Sequence, residues 1–327
     1  MTHKEFKTSV NRLNEILFDV DVRPVYVGYI FPDKKAPQLM QSKKHKAIVN
    51  SSTGKLLSIV SKNYRITTNR EALEMGKEVF VQLFPGYSKD KLTLFKVIAP
   101  KSLTSVNFDI THPEVFLNIR EQENWLPFLR ITNSFNRRQA LALEIGFVHK
   151  LWANSVLFDP KNIDLQFSCI SNKPIRLTDK TDEIYAFSEK FRDWCDLLKS
   201  YPLSMESFFP LLCMILCINL EAPAPKQFRH KKETLNKIHT WVKHQIRNYQ
   251  EILGMNAYTA FILSTDLVSH NSQYNVLPGY YVNIRSYFTR PTTWMVKFTR
   301  NIRQNDFSLE EYLSSTIQKI NAIHKPD

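Results

Sequence analysis

The residues with the clearest chemical character lie in "GYYVNIRSYFTRPTTWMVKFTRNIR" (279–303). Arg285, Arg290, Lys297, Arg300 and Arg303 are interleaved there with Tyr280, Tyr281, Tyr287, Phe288, Trp294 and Phe298, and no acid intervenes. Cations attract phosphates, and a flat ring stacked on an unpaired base contributes about 1–3 kcal/mol. The pattern fits a single nucleic-acid strand, held by contacts that weaken with salt. The same spacing also fits a helix with its rings in the core and its cations in water.

Two further segments concentrate positive charge. One is a hairpin-like stretch with Lys43, Lys44, Lys46, Lys55, Lys62 and Arg65, to which Tyr64 adds a ring. The other is "KQFRHKKETLNKIHTWVKHQIR" (226–247), where Lys226, Arg229, Lys231, Lys232, Lys237, Lys243 and Arg247 face Glu233 alone. Between two strand-like runs, "NSFNRRQ" (133–139) sets Arg137 and Arg138 side by side, with Asn133, Ser134 and Asn136 able to hold a bend through side-chain hydrogen bonds. The expected phosphate contacts are Lys62, Arg65, Arg137, Arg138, Arg285, Arg290 and Arg300. The expected stacking rings are Tyr64, Tyr287 and Trp294.

Catalytic constellations are scarce. No P-loop, HExxH, GxSxG or CxxC occurs. Asp266 and His270 stand four apart on one face of a helical run, and with His149 or His239 they have the types needed for an acid–base or metal site. A hydrogen-bonded helical histidine accounts for the same spacing. Asp109, Glu121 and Glu123 lie near the β-rich core without the spacing of a two-metal nuclease. No catalytic residue, metal or cofactor is expected.

The net charge of +13 draws polyanions: nucleic acid first, then an acidic protein or an anionic membrane surface. The apolar run "FFPLLCMILCINL" (208–220) contains Pro210 and is too short to span a bilayer, which takes about 20 residues. The N-terminal "MTHKEFKTSVNRLNEILFDV" lacks the apolar core of a signal peptide. Cys169, Cys195, Cys213 and Cys217 show no disulfide or zinc spacing and are expected as reduced core residues of a cytoplasmic protein with no membrane association.

The elements that must position these residues follow from pattern. Residues 1–19 read as a helix and 20–42, with Pro24, Pro32 and Pro37, as an extended lead-in. A hairpin turns at "SSTG" within 44–69, and a helix over 69–84 has Asn69 as its expected cap. Strands are expected at 91–100, 105–112, 114–121, 126–132 and 139–148, the last half-buried with Leu141, Leu143, Ile145 and Phe147 on its apolar face. Helices follow from about residue 180, with "EAPAPK" as a loop. The expected class is α+β: a mainly antiparallel sheet in the N-terminal half and helices in the C-terminal half packed on it. The expected division is a lead-in (1–42), a β-rich core (43–178) and a mainly helical region (179–327).

Three collinear stretches, "LLSIVSKNYRITTNREAL" (56–73), "LPFLRITNSFNRRQALALEIGFVHKLWANSVLF" (126–158) and "NAYTAFILSTDLVSHN" (256–271), resemble the successive signatures of a phage/plasmid-like protein family of unknown function. The late segment reads "VSH" where family members carry Thr-His, and Trp152 and Ala153 stand where many have Cys. The resemblance implies an accessory protein of a mobile element, working beside DNA-handling functions, and assigns no chemistry to any position. The resulting expectation is a phage or plasmid protein that binds nucleic acid, preferring single-stranded DNA, in annealing, replication or protection, and working as a homo-oligomer. The alternatives are an interaction protein that blocks an acidic host defence protein and, third, a metal-dependent nuclease.

Overall fold

The computed structural model describes residues 13–29, 38–115, 125–136, 141–150, 152–159, 166–168, 180–221 and 225–324. Antiparallel sheets occupy the N-terminal half and helices the C-terminal half, the α+β class. The chain forms two compact units that interleave along the sequence. The first draws on Met1–Phe116, Leu126–Ile145 and Leu165–Thr181, and the second on Leu117–Trp125, Gly146–Asp164 and Asp182–Asp327. This division does not follow the boundaries at 42 and 178.

In the first unit, β1 (Val20–Tyr29), β2 (Gln38–Asn50) and β3 (Leu56–Ser61) form an antiparallel sheet in that order. The stretch expected as a lead-in is therefore a strand. Its proline is tolerated because β1 is an edge strand and Pro24 sits at a register shift. The turn between β2 and β3 falls at "SSTG" as expected. Gly54 takes a left-handed φ of 67°, and the Asn50 carboxamide oxygen accepts from the Ser52 and Thr53 amides at 2.9 and 3.0 Å. The inner face of this sheet sets Ile48, Leu57 and Val60 against Phe18 and Phe135, with Tyr64 and Ile66 alongside.

Helix α1 (Asn69–Leu83) is closed by a capping box in which Thr68, not Asn69, is the cap and Glu71 reciprocates. Asn69 is buried, donating to the Ile16 carbonyl and accepting from Asn133 at 2.8 Å. Strands β4 (Thr93–Ile98), β5 (Ser105–Thr111) and β6 (Trp125–Ser134) form an antiparallel meander. One face of β5 and β6 is apolar (Val106, Phe108, Ile110, Leu129, Ile131), and α1 lies against it so closely that a Cβ on Gly76 would stand 2.3 Å from Ile131 Cγ1 and Cδ1.

The other face carries polar side chains in register. Lys96 stands opposite Asp109, Asp109 opposite Arg130, and Asn107 opposite Thr132. All are under 9% exposed, and the Arg130 guanidinium donates to both Asp109 carboxylate oxygens, Nε to Oδ1 at 2.7 Å and Nη2 to Oδ2 at 2.6 Å.

Strand β7 (Ala142–His149) is buried on both faces: Glu144 is 5% exposed, as hidden as Leu143, Ile145 and Phe147. The expectation of one solvent-facing side fails there. Its first residues pair with β9 (Gln166–Ser168) in the first unit, and residues 146–148 pair with β8 (Ser155–Leu157) in the second. The strand expected over 114–121 falls mostly outside the described residues.

The second unit is built on α2 (Lys180–Ser200), α3 (Met205–Ile215), α4 (Pro225–Leu253), α5 (Ala257–Ser269), α6 (Ile284–Asn301) and α7 (Leu309–His324). Helix α4 starts inside "EAPAPK", with proline at its first position, where the missing N–H costs nothing. Every residue of α5 is buried. β8 is tied to the helices around it by the Thr292 hydroxyl, which donates to the Leu157 carbonyl at 2.6 Å, and by the Ser155 amide, which donates to Ser269 Oγ at 2.8 Å. Phe147, Phe158, Phe187 and Phe191 form an aromatic cluster with centroids 4.6–6.1 Å apart. No helix among the described residues is long and apolar enough to cross a membrane.

Candidate nucleic-acid interface

The cations of β2 cluster at the end of the sheet away from the "SSTG" turn, beyond the buried Ile48 and Val60. Beyond the end of β3, Lys62 and Arg65 are exposed, whereas Val60 is buried and Tyr64 and Ile66 are half-buried against the core. Tyr64 is anchored by its hydroxyl, which donates to the Ser134 carbonyl at 3.2 Å. Its ring therefore belongs to the core edge and not to a stacking platform. The Lys62 amide donates to the Lys44 carbonyl at 2.9 Å, setting Lys44 and Lys62 side by side on neighbouring strands.

Lys43, Lys44 and Lys62 are exposed and have no side-chain hydrogen bond or ion pair among the described residues. Lys46 is half-buried beside them, and Lys55 reaches the Lys101 carbonyl at 3.4 Å. No Asp or Glu occurs from residue 34 to residue 70. The one carboxylate on β1, Asp21, is engaged by Arg23 at 2.9 Å. This stretch is thus strongly positive in sequence, and β1 beside it exposes Tyr26, 55% accessible.

The basic-aromatic segment divides differently. It forms α6 and the turns at its two ends, and the helical period separates the two residue classes. Tyr287, Phe288, Trp294 and Phe298 are at most 5% exposed, with Trp294 stacked on Phe298 at 4.7 Å. Tyr287 and Trp294 offer no face to a base, which corrects the stacking role expected for them. The Tyr287 hydroxyl donates to the Pro278 carbonyl at 2.7 Å. Arg290 also works within the fold: its guanidinium lies 4.2 Å from the Tyr287 ring centroid and donates to the Leu216 carbonyl at 2.6 Å. Arg285 is half-buried, while Lys297, Arg300 and Arg303 are exposed.

Helix α4 behaves likewise. Leu235, Ile238, Trp241, Val242, Ile246 and Tyr249 are buried, and Lys237, Lys243 and Arg247 lie on the outer face. Arg229 is bound to Glu233 at 3.1 Å. Arg137 and Arg138 lie outside the described residues. The bend before them is held as expected: Ser134 Oγ donates to Asn136 Oδ1 at 2.7 Å, and Asn136 Nδ2 to Thr104 Oγ1 at 3.2 Å. Of the expected set, Lys62, Arg65 and Arg300 are exposed. Tyr26 was missed because the prolines made its segment read as unpaired.

The remaining titratable groups serve the helical unit. His270 caps α5, its Nδ1 2.6 Å from Asp266 Oδ1 and its amide donating to the Asp266 carbonyl at 2.9 Å. Burial, followed by the nearby Asp266 charge, holds the Tyr249 hydroxyl well above the usual phenol range. His149 stacks on Trp152 at 4.3 Å, and burial together with the Lys199 charge lowers its pKa to about 4. Burial pushes the Cys213 thiol up to about 12, whereas Cys217, past the end of α3, is exposed and is not the core residue expected. Among the described residues, no three of His, Cys, Asp and Glu come together to hold a metal ion.

Comparison with protein-family models, with curated proteins and with solved structures returns no match to the chain.

Proposed function

We propose that the chain binds nucleic acid through the exposed end of β2 and the segment after β3, where Lys44 and Lys62 stand side by side, as an accessory protein of a phage or plasmid that prefers single-stranded DNA. The observation that carries this reading is exposed Lys44 and Lys62 side by side on neighbouring segments, with exposed Lys43 and Arg65 close to them in sequence and no Asp or Glu in the sequence from residue 34 to residue 70. Such a surface draws a polyanion by field and holds it by releasing condensed counterions. Tyr26 supports the single-strand preference, since an accessible ring stacks on any unpaired base.

Fluorescence anisotropy with single-stranded and duplex probes across a salt series tests the reading. Four phosphate contacts at about 0.7 each give a log–log slope near −3 for a single strand. Replacing Lys43, Lys44 and Lys62 with Ala reduces that slope by about 2. A slope near zero, or one that the triple variant leaves unchanged, removes the reading. A second reading, an acidic protein partner, is favoured by the exposed Val27, Leu39 and Met40 beside the cations. Pull-down from nuclease-treated host lysate that depends on these apolar residues would support it over the first.

A further inference from the structure

The second unit contains a hollow of about 390 Å³ lined by Trp194, Val296, Thr299, Arg300, Arg303 and Gln304. We infer that this hollow takes a nucleotide, its base ring against Trp194 and its phosphate between Arg300 and Arg303. Small-molecule sites begin at about 300 Å³, so the space suits one nucleotide and not a folded partner.

The lining follows from helix periodicity. On α2, Phe191, Cys195 and Leu198 are buried, which leaves the Trp194 ring at the margin, edge-on to Phe187 at 5.7 Å and partly exposed. On α6 the aromatic face turns inward, so Val296 and Arg300, four residues apart, lie together on the outside, with Arg303 and Gln304 following in the turn. The Thr299 hydroxyl is already committed to the Met295 and Val296 carbonyls at 2.8 and 3.2 Å. The polar groups left to a ligand are the two guanidiniums and the Gln304 carboxamide.

Arg300 and Arg303 have no hydrogen bond or ion pair among the described residues. Complementing the negative end of α6 accounts for one cation in its last turn. It accounts neither for Arg303 beyond the helix nor for the accessible indole facing the same space. Paired guanidiniums match phosphate oxygens in two-pronged hydrogen bonds. An indole offers the widest flat face of any side chain, and a carboxamide both donates to and accepts from a base edge. Together they select a planar base that carries a phosphate, over a bare anion or a bare ring.

The choice of ligand rests on the nucleic-acid reading, and the two fail separately. The nucleotide is either free or part of a strand. Tryptophan fluorescence of the full chain is titrated with thymidine and adenosine monophosphates, with inorganic phosphate as competitor. An oligothymidylate containing 5-bromouracil is separately photocrosslinked and the adduct mapped by mass spectrometry. Quenching by monophosphates that is lost in Trp194→Phe and at least tenfold weaker in Arg300→Ala/Arg303→Ala, with circular dichroism unchanged, identifies a free-nucleotide site. An adduct on Trp194 without such quenching identifies a strand-borne nucleotide. Neither signal, with oligonucleotide still bound in anisotropy, overturns the pocket and leaves the β2–β3 surface standing. Quenching without any oligonucleotide binding keeps the pocket and removes the strand reading. Phosphate that competes as well as the nucleotides overturns the base-ring assignment.

Discussion

Replacing Asp109 with Asn keeps the shape of the side chain and removes its charge. The carboxylate is fully buried, and it accepts two hydrogen bonds, at 2.7 and 2.6 Å, from an Arg130 side chain that is 1% exposed. The variant therefore strands a guanidinium in the interior, where removing one partner of a buried pair costs about 3–5 kcal/mol. The upper part of that range applies, because Lys96, opposite Asp109 on β4, brings a second buried cation to the same face. Arg130→Met costs less, since Lys96 still faces the carboxylate. Asp109→Asn/Arg130→Met removes both charges of the pair and costs less than the sum of the two single variants, because no buried guanidinium is left without its carboxylate, although Lys96 still loses the carboxylate opposite it. Urea denaturation followed by circular dichroism measures all three. The coupling between the two sites should exceed about 2 kcal/mol. A cost below about 1 kcal/mol for Asp109→Asn, or a double variant as unstable as the two singles combined, refutes the claim that Asp109 and Arg130 are energetically coupled in the interior.

Gly76→Ala places a methyl group 2.3 Å from Ile131, so α1 must shift or Ile131 must leave its rotamer. Thermal denaturation should show a loss of about 1–3 kcal/mol, recovered in part when Ile131→Ala makes room. Acid acts through His149. Its pKa is about 4 in the fold against an ordinary 6.5, so below pH 6.5 the unfolded chain takes up a proton that the folded chain refuses. Stability is complete above pH 6.5 and falls by about 3 kcal/mol as the pH drops to 4. His149→Phe should flatten that part of the pH profile of the urea midpoint; an unchanged slope assigns the acid sensitivity elsewhere.

Local patterns were legible where one element decides them. The "SSTG" turn, the α1 capping signal and the uncompensated lysines of β2–β3 each depend on residues close in sequence, and each appears within a residue or so of its expected place. What needed partners was not legible. "SVNFDITH" alternates, but nothing within it tells that β6 sets Arg130 and Thr132 opposite Asp109 and Asn107. The interleaving of Tyr and Arg in 279–303 fits a binding face and a helix with its rings in the core alike. Tyr287, Trp294 and Phe298 are spaced seven and four apart, and a helix turns that spacing into a stripe directed at the core. The segment with Pro24 read as unpaired because edge strands tolerate what central strands forbid.

The interleaving of the two units constrains how the polypeptide can be made. The first unit is incomplete until residue 181 has been synthesised, and the second needs a stretch ending at Trp125 together with everything from residue 182 onward. At about 5–20 residues per second, that early stretch waits roughly 10–40 s for its counterparts. Trp125, wholly buried against Phe191 and His149 when folding is complete, spends that interval uncovered on the nascent chain. No single cut liberates either unit whole, so expression of the intact chain with ribosome-associated chaperones should succeed where halves precipitate.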